Sequence, residues 1–228
     1  MGATSFGSSP TTLEADEQTT VDVRLTDEQQ LWSTTVERLA RELAMTEPDD
    51  SAADRDRAQG WQQVLDLGIP ALRSAELSGL TETGVETALA AEHFGRHLVP
   101  LPLLGQAMFA TELLAAAGAA EMLERVAAGD ARLAPALDPT LSRFAYPGER
   151  AVAWDAAGAT HALTALPGDD GVRLVATPVA PKAKAGLDIT RRHTMIAEST
   201  AAEDIGPLGT AIEPTRWAKD RVSAKLSW

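Results

Sequence analysis

Two histidines, His93 and His97, stand four residues apart in "EHFGRHLVP". That spacing can put two imidazoles on one side of a helix, where they could share a metal ion. Gly95 falls between them as an expected helix terminator, and no carboxylate occupies the usual intervening position. The pair therefore reads as two exposed polar residues at a helix end. His161 falls in an expected strand and His193 in "TRRHTM"; neither has a visible Ser or Asp partner for nucleophilic catalysis. The chain has no cysteine, which removes thiolate metal sites, disulfides and cysteine nucleophiles together. Glycine-rich dinucleotide and phosphate loops and the G-x-S-x-G elbow are also absent. No catalytic residue and no metal ligand can be named from generic motifs.

Composition narrows the partners. A formal net charge of −13 argues against a grip on nucleic-acid phosphates. Hydrophobic residues make up 44% of the 228, but aromatics only 4%, so a core of Ala, Leu and Val packed between helices is expected. Residues 1–23 are small, polar and acidic and are expected to form a disordered tail without a signal-peptide pattern. The myristoylation pattern fails at Phe6. The apolar run "LVPLPLLGQAMFATELLAAAGAAEML" carries Pro100, Pro102, Gln106 and Glu112, which suits a buried helix better than a membrane span. A cytoplasmic protein is the expectation.

The elements that must position any site divide the chain. Thr26 and Gln29 make a capping box, and Trp32, Val36, Leu39 and Leu43 then fall on one helical stripe. A second helix carries Trp61, Val64 and Leu65 and stops at Gly68 and Pro70. A third carries Val85, Leu89 and Glu92, punctuated by Gly95. Two more, Leu103 to Ala117 and Ala119 to Ala128, end at Gly118 and Gly129. From Asp130 the texture turns β-rich, and "PGDDG" between Leu166 and Val172 has the chemistry of a hairpin loop. From Glu203 the texture reads as helical again. The expected fold class is α+β. Residues 24–129 form a helical domain, 130–200 a small antiparallel β domain, and 201–228 a linker with the start of a further helix.

These segments, in this order, resemble the acyl-CoA dehydrogenase family. The likeness rests on "LTDEQQLWSTTVERLARE", then "WQQVLDLGIPALRSAELSG", then Glu92-His93-Phe94-Gly95-Arg96 as the E-x-x-G-R helix end. It continues through "PLPLLGQAMFATELLAAAG" and into "LVATPVAPKAKAGLDITRRHTMI", with Asp188, Thr190 and Arg191 at the Asp and Thr-Arg positions. It covers about Leu25 to Ile196.

The resemblance implies a helical N-terminal domain, a central β domain and a C-terminal four-helix bundle. It also implies FAD as cofactor. In the family a glutamate removes the α-proton of an acyl thioester while hydride leaves the β-carbon for the flavin.

Three positions carry over as flavin contacts. Asp138, in Leu137-Asp138-Pro139, stands where the family has Thr-Glu-Pro, without the glycine-rich turn that follows there. Trp154, in "AVAW", stands near the family's aromatic flavin contact, with core packing as its alternative role. "RWAKDRV" resembles the bundle's early "YAxxRxxFG" helix, which puts Trp217 at the aromatic position and Arg221 at the arginine that reaches FAD phosphates. "SAKLSW" then replaces the Phe-Gly, and the rest of the bundle has no counterpart. Glu198, Glu203 and Glu213 match no catalytic base and read as solvated acids.

Two functions follow from the resemblance. One is a subunit that shares FAD-dependent α,β-dehydrogenation of an acyl-CoA or acyl-carrier thioester with a full-length homologue. The other is a non-catalytic assembly or regulatory relative without flavin. A self-sufficient dehydrogenase ranks below both.

Overall fold

The computed structural model describes residues 24–45, 53–79, 83–145, 149–168, 171–179, 184–185, 192–196 and 202–208. Helix α1 (Asp27–Glu42) opens as its sequence dictates. Thr26 accepts from the Gln29 backbone N–H at 3.2 Å, and the Gln29 side chain accepts from the Thr26 N–H at 3.1 Å. Its buried stripe is Val36, Leu39 and Ala40.

Helix α2 (Ala53–Asp66) stops at Gly68, whose φ of 73° lets the chain turn into a short 3-10 segment, Ile69–Ala71, with Pro70 at its start. A single turn, α3 (Ala75–Ser78), follows. Helix α4 (Gly84–Arg96) packs mainly against α1, far from it in sequence: Trp32 Nε1 donates to the Glu86 carbonyl at 2.9 Å.

The third helix stops at Arg96, one residue past Gly95, and departs from expectation at Val85, which is 44% exposed. The face turned to the core is Ala90, His93 and Phe94, because α1 lies on that side.

The expected helix from Leu103 is also divided. Leu103–Phe109 is wound as a π-helix, continuing into α5 (Ala110–Ala116), and α6 (Ala120–Ala128) follows. Apolar side chains of α1, α2, α4 and the π-turn, among them Val36, Trp61, Val64, Phe94 and Leu103, form one core.

Seven strands are found among the described residues: β1 (Leu133–Leu137), β2 (Ala151–Ala153), β3 (His161–Gly168), β4 (Gly171–Pro178), β5 (Lys184–Ala185), β6 (Arg192–Ile196) and β7 (Glu203–Leu208). They form one sheet in the order β5-β6-β2-β1-β3-β4-β7. Pairing is antiparallel except between β1 and β3, which run parallel with Leu133 opposite His161. The hairpin read at "PGDDG" is β3–β4, closing at Gly168 opposite Gly171.

The sheet's two faces differ in the size of their side chains, and that follows from the period of two along each strand. One face presents Leu133, Leu163 and Leu174 to Leu113, Leu114, Met122 and Val126 of α5 and α6. The other is built of Ala134, Ala136, Ala153 and Ala162.

Glu203–Leu208 corrects an expectation. It is strand β7, not the start of a helical tail. Gly206 and Pro207 disfavour helix, while Ile205 and Leu208 join the core beneath α5 and α6. Pro207 is tolerated because β7 is the last strand of the sheet order. The class is α+β.

Candidate functional site

Asp138 sits just past β1, where the chain turns back through Leu141 and Ser142. Its side chain builds that turn. Oδ1 accepts the Ser142 N–H at 2.9 Å, Oδ2 accepts the Thr140 hydroxyl at 2.7 Å, and the Arg143 guanidinium lies 4.0 Å away. Burial alone would raise the Asp138 pKa. The hydrogen bonds from Thr140 and the Ser142 and Arg143 backbone, with the Arg143 charge, outweigh it and hold the carboxyl below its usual range. Thr140 and Ser142 also bond each other, 2.9 Å between hydroxyl oxygens. Leu141, at the tip, has φ of 56° and is 49% exposed.

Trp154 follows β2 and is half-buried. Its backbone N–H donates to the Pro135 carbonyl at 2.9 Å. Since Leu137 pairs with Val152, Asp138 and Trp154 lie at opposite ends of the β1–β2 pair, about 10 Å apart at roughly 3.3 Å per residue. Arg221 lies outside the described residues, as do Glu198 and Glu213. Glu203 is an exposed residue at the start of β7.

The hydroxyls of Thr140 and Ser142 and both Asp138 oxygens are engaged within the turn after β1.

Between these two positions and the helical layer is a buried polar joint that no local pattern announced. Gln106 and Asp155 are each 1% exposed. Asp155 Oδ2 accepts the Gly105 N–H at 2.8 Å, and the Gln106 amide donates to the Asp155 carbonyl at 2.6 Å and the Ala157 carbonyl at 3.0 Å. Arg132, one residue ahead of β1, donates from Nε to Gln106 Oε1 at 2.9 Å and from Nη2 to the Ala157 carbonyl at 2.6 Å. Its guanidinium carbon lies 4.2 Å from the centre of the Trp61 ring. Burial pushes the Arg132 pKa down to about 10, against the pull of Asp155, and the group is still charged near neutrality. The only sequence signal here was Gln106 as a polar residue in an apolar run. Arg132 and Asp155 left none.

Beside the joint is an apolar strip. Phe109 stacks on Phe144 with ring centres 5.9 Å apart, and Phe109 is 40% and Leu104 36% exposed.

His93 corrects the reading of two exposed polar residues at a helix end. It is buried in the α1–α4 seam, with Nε2 2.8 Å from the Ser33 hydroxyl. Among the described residues no group of three or more potential ligands could hold a metal ion. No helix of theirs is long and apolar enough to cross a membrane.

No family model matches the sequence, and no curated protein matches it. The fold does have counterparts among solved structures. The ChsE4–ChsE5 complex from Mycobacterium tuberculosis matches with a TM-score of 0.55 at 20% identity, over 84% of this chain and 60% of that one. Butyryl-CoA dehydrogenase from Megasphaera elsdenii matches at 0.51 and 13% identity, over 85% and 62%. PigA with FAD and proline matches at 0.51 and 15% identity, over 83% and 61%. The chain thus spans about 60% of the length of each solved structure. Its helical layer and sheet have the acyl-CoA dehydrogenase fold.

Proposed function

We propose that this chain is a subunit that works in FAD-dependent α,β-dehydrogenation of an acyl-CoA or acyl-carrier thioester, together with a full-length acyl-CoA dehydrogenase homologue. In this reading residues 24–129 are the helical domain, the β domain runs from 130 through β7 at Leu208, and the residues after it lead into the first helix of a bundle that the partner completes. The assembly is cytoplasmic. One observation carries the reading: the helical layer and sheet match, in order, a chain from a complex of two named proteins, ChsE4 and ChsE5.

Bound FAD would supply the hydride acceptor. The partner would hold most of it and contribute the glutamate base, since the turn at Asp138 is closed on itself. This chain would add Trp154 and Arg221 as edge contacts and the apolar strip of Leu104, Phe109 and Phe144 as a wall. Such a wall excludes water from the reacting atoms and so strengthens the polar contacts around them.

The closed turn also favours a second reading, a non-catalytic assembly relative that binds no flavin. Purification decides between these. Alone, the chain should be colourless under both, and a stoichiometric flavin absorbance would overturn both. Co-expressed with a full-length homologue, the proposed subunit forms a coloured complex whose dehydrogenation rate falls when this chain is left out. A complex whose rate does not depend on the chain leaves only the second reading.

A further inference from the structure

Two locally unfavourable conformations face each other across the polar joint. Over Leu103–Phe109 the chain is π-helical, with the Ala110 N–H on the Gly105 carbonyl, a winding proteins use rarely and briefly. Opposite it, Asp155 holds φ at 60°, in the left-handed region that costs a residue with a side chain on the order of 1 kcal/mol. Aspartate tolerates the left-handed region better than most residues, but nothing in the periodicity of Leu103–Phe109 asks for π winding. Each segment supplies what the other lacks: Asp155 takes the Gly105 N–H on its carboxylate, and Gln106 reaches the carbonyls of Asp155 and Ala157.

The fit admits little slack. A Cβ on Gly105 would come within 2.5 Å of the Asp155 Cβ. The π winding lets Gly105 and Gln106 both point inward while Leu104 and Phe109 share the exposed side. On an α-helix, residues five apart point about 140° away from each other. With i+5 bonding they stand nearly one above the other.

We infer that the π-turn at Leu103–Phe109 and the left-handed turn at Asp155 form one coupled element, with Asp155 as the positioning residue that ties Trp154 to the exposed apolar pair Leu104 and Phe109. If the contact is released, the π-turn relaxes toward α spacing, Leu104 and Phe109 separate, and the turn that carries Trp154 is freed. By linkage, a ligand that favours one arrangement at Leu104 and Phe109 biases the Trp154 side to the same extent, and the reverse also holds. Only the flavin role of Trp154 rests on the function proposed above; the coupling stands without it.

Hydrogen exchange on the full chain, followed by mass spectrometry and without flavin, tests the coupling separately from that function. Asp155→Gly keeps the left-handed turn and removes the carboxylate. It should speed exchange over residues 103–110 by about tenfold or more, the effect of one lost buried hydrogen bond, with α1 unchanged. Asp155→Asn, which keeps an acceptor for Gly105, should stay close to the parent. In the reverse direction, Gly105→Ala leaves Asp155 chemically intact and should speed exchange over residues 151–160. The inference is overturned if Asp155→Gly leaves 103–110 protected, if Gly105→Ala leaves 151–160 protected, or if α1 loses protection equally in either variant.

Discussion

The guanidinium of Arg132 lies 4.2 Å from the centre of the Trp61 ring, which brings the residue just before the sheet onto a helix two elements into the helical layer. Arg132 also donates to Gln106 and to Ala157, so one side chain touches α2, the π-turn and the turn after β2. A buried cation survives there because a ring covers one face of the group and carbonyl oxygens accept at its edge.

Removing that cation strands its acceptors. Arg132→Met keeps the aliphatic stem but leaves Gln106 Oε1 without its Arg132 donor in a buried site. The expected loss is about 2–4 kcal/mol, read from the urea midpoint at constant m-value. Arg132→Lys keeps the charge without the planar fork and should fall between the two. A loss below about 0.5 kcal/mol for the Met variant would show that the joint contributes nothing to the docking of the layers.

Gly158 packs against the same group. Its φ is 69°, and a Cβ there would meet Arg132 Nη1 at 2.2 Å. Gly158→Ala should therefore destabilise by about 2 kcal/mol or more, through both the backbone and the displaced guanidinium. Gly95, inside α4 with nothing near its Cβ position, is the contrast: Gly95→Ala should stabilise by about 0.5–1 kcal/mol. Thermal denaturation of the two variants side by side checks the opposite signs.

Ser33 and His93 help join α1 to α4, their side chains in contact at 2.8 Å, beside the Gln29 and Trp32 bonds to Glu86. Ser33→Ala leaves a buried imidazole nitrogen unpaired and should cost about 1–2 kcal/mol. Replacing both, with Ser33→Ala and His93→Leu, removes the unpaired atom as well as the bond. A double-mutant cycle in urea should return a favourable coupling energy of about 0.5 kcal/mol or more. Strict additivity would mean that the contact adds nothing.

Asp138 gives a pH signature. Its folded pKa lies below the unfolded value near 3.8, so the stability it adds is full above that value and is lost as pH falls through the lower folded one. Asp138→Asn should thus lower stability at neutral pH by about 1 kcal/mol, the worth of a charge-assisted turn. The gap to the parent should close in acid. A gap that is constant from neutrality to acid would rule out the ionised carboxylate as its source.

Several of these features could be read in advance. The capping box at Thr26 and Gln29, the stripe through Val36 and Leu39, the stop at Gly68 and the β3–β4 hairpin are each written by residues within a few positions of one another. Others were misread because the local signal was true but incomplete. Val85 looks like a core position of α4, yet it is 44% exposed, because docking on α1 turns Ala90, His93 and Phe94 inward. His93 looks solvent-facing beside Arg96, yet Ser33 sits opposite it, sixty residues away. The run from Leu103 reads as regular helix, and nothing in its periodicity asks for π winding.

The sequence by itself determined the α+β class, the order of helices before strands, the absence of thiol and metal chemistry built on cysteine, and the resemblance that named Asp138, Trp154 and Arg221. The tertiary structure alone decided that β7 completes the sheet, that Asp138 is closed into its own turn, and that Arg132, Gln106 and Asp155 meet. The reason is the range over which each kind of information acts. Propensity, capping and periodicity are set by neighbours along the chain. A buried hydrogen bond between residues 26 or 49 apart satisfies groups whose burial exists only after the layers have packed.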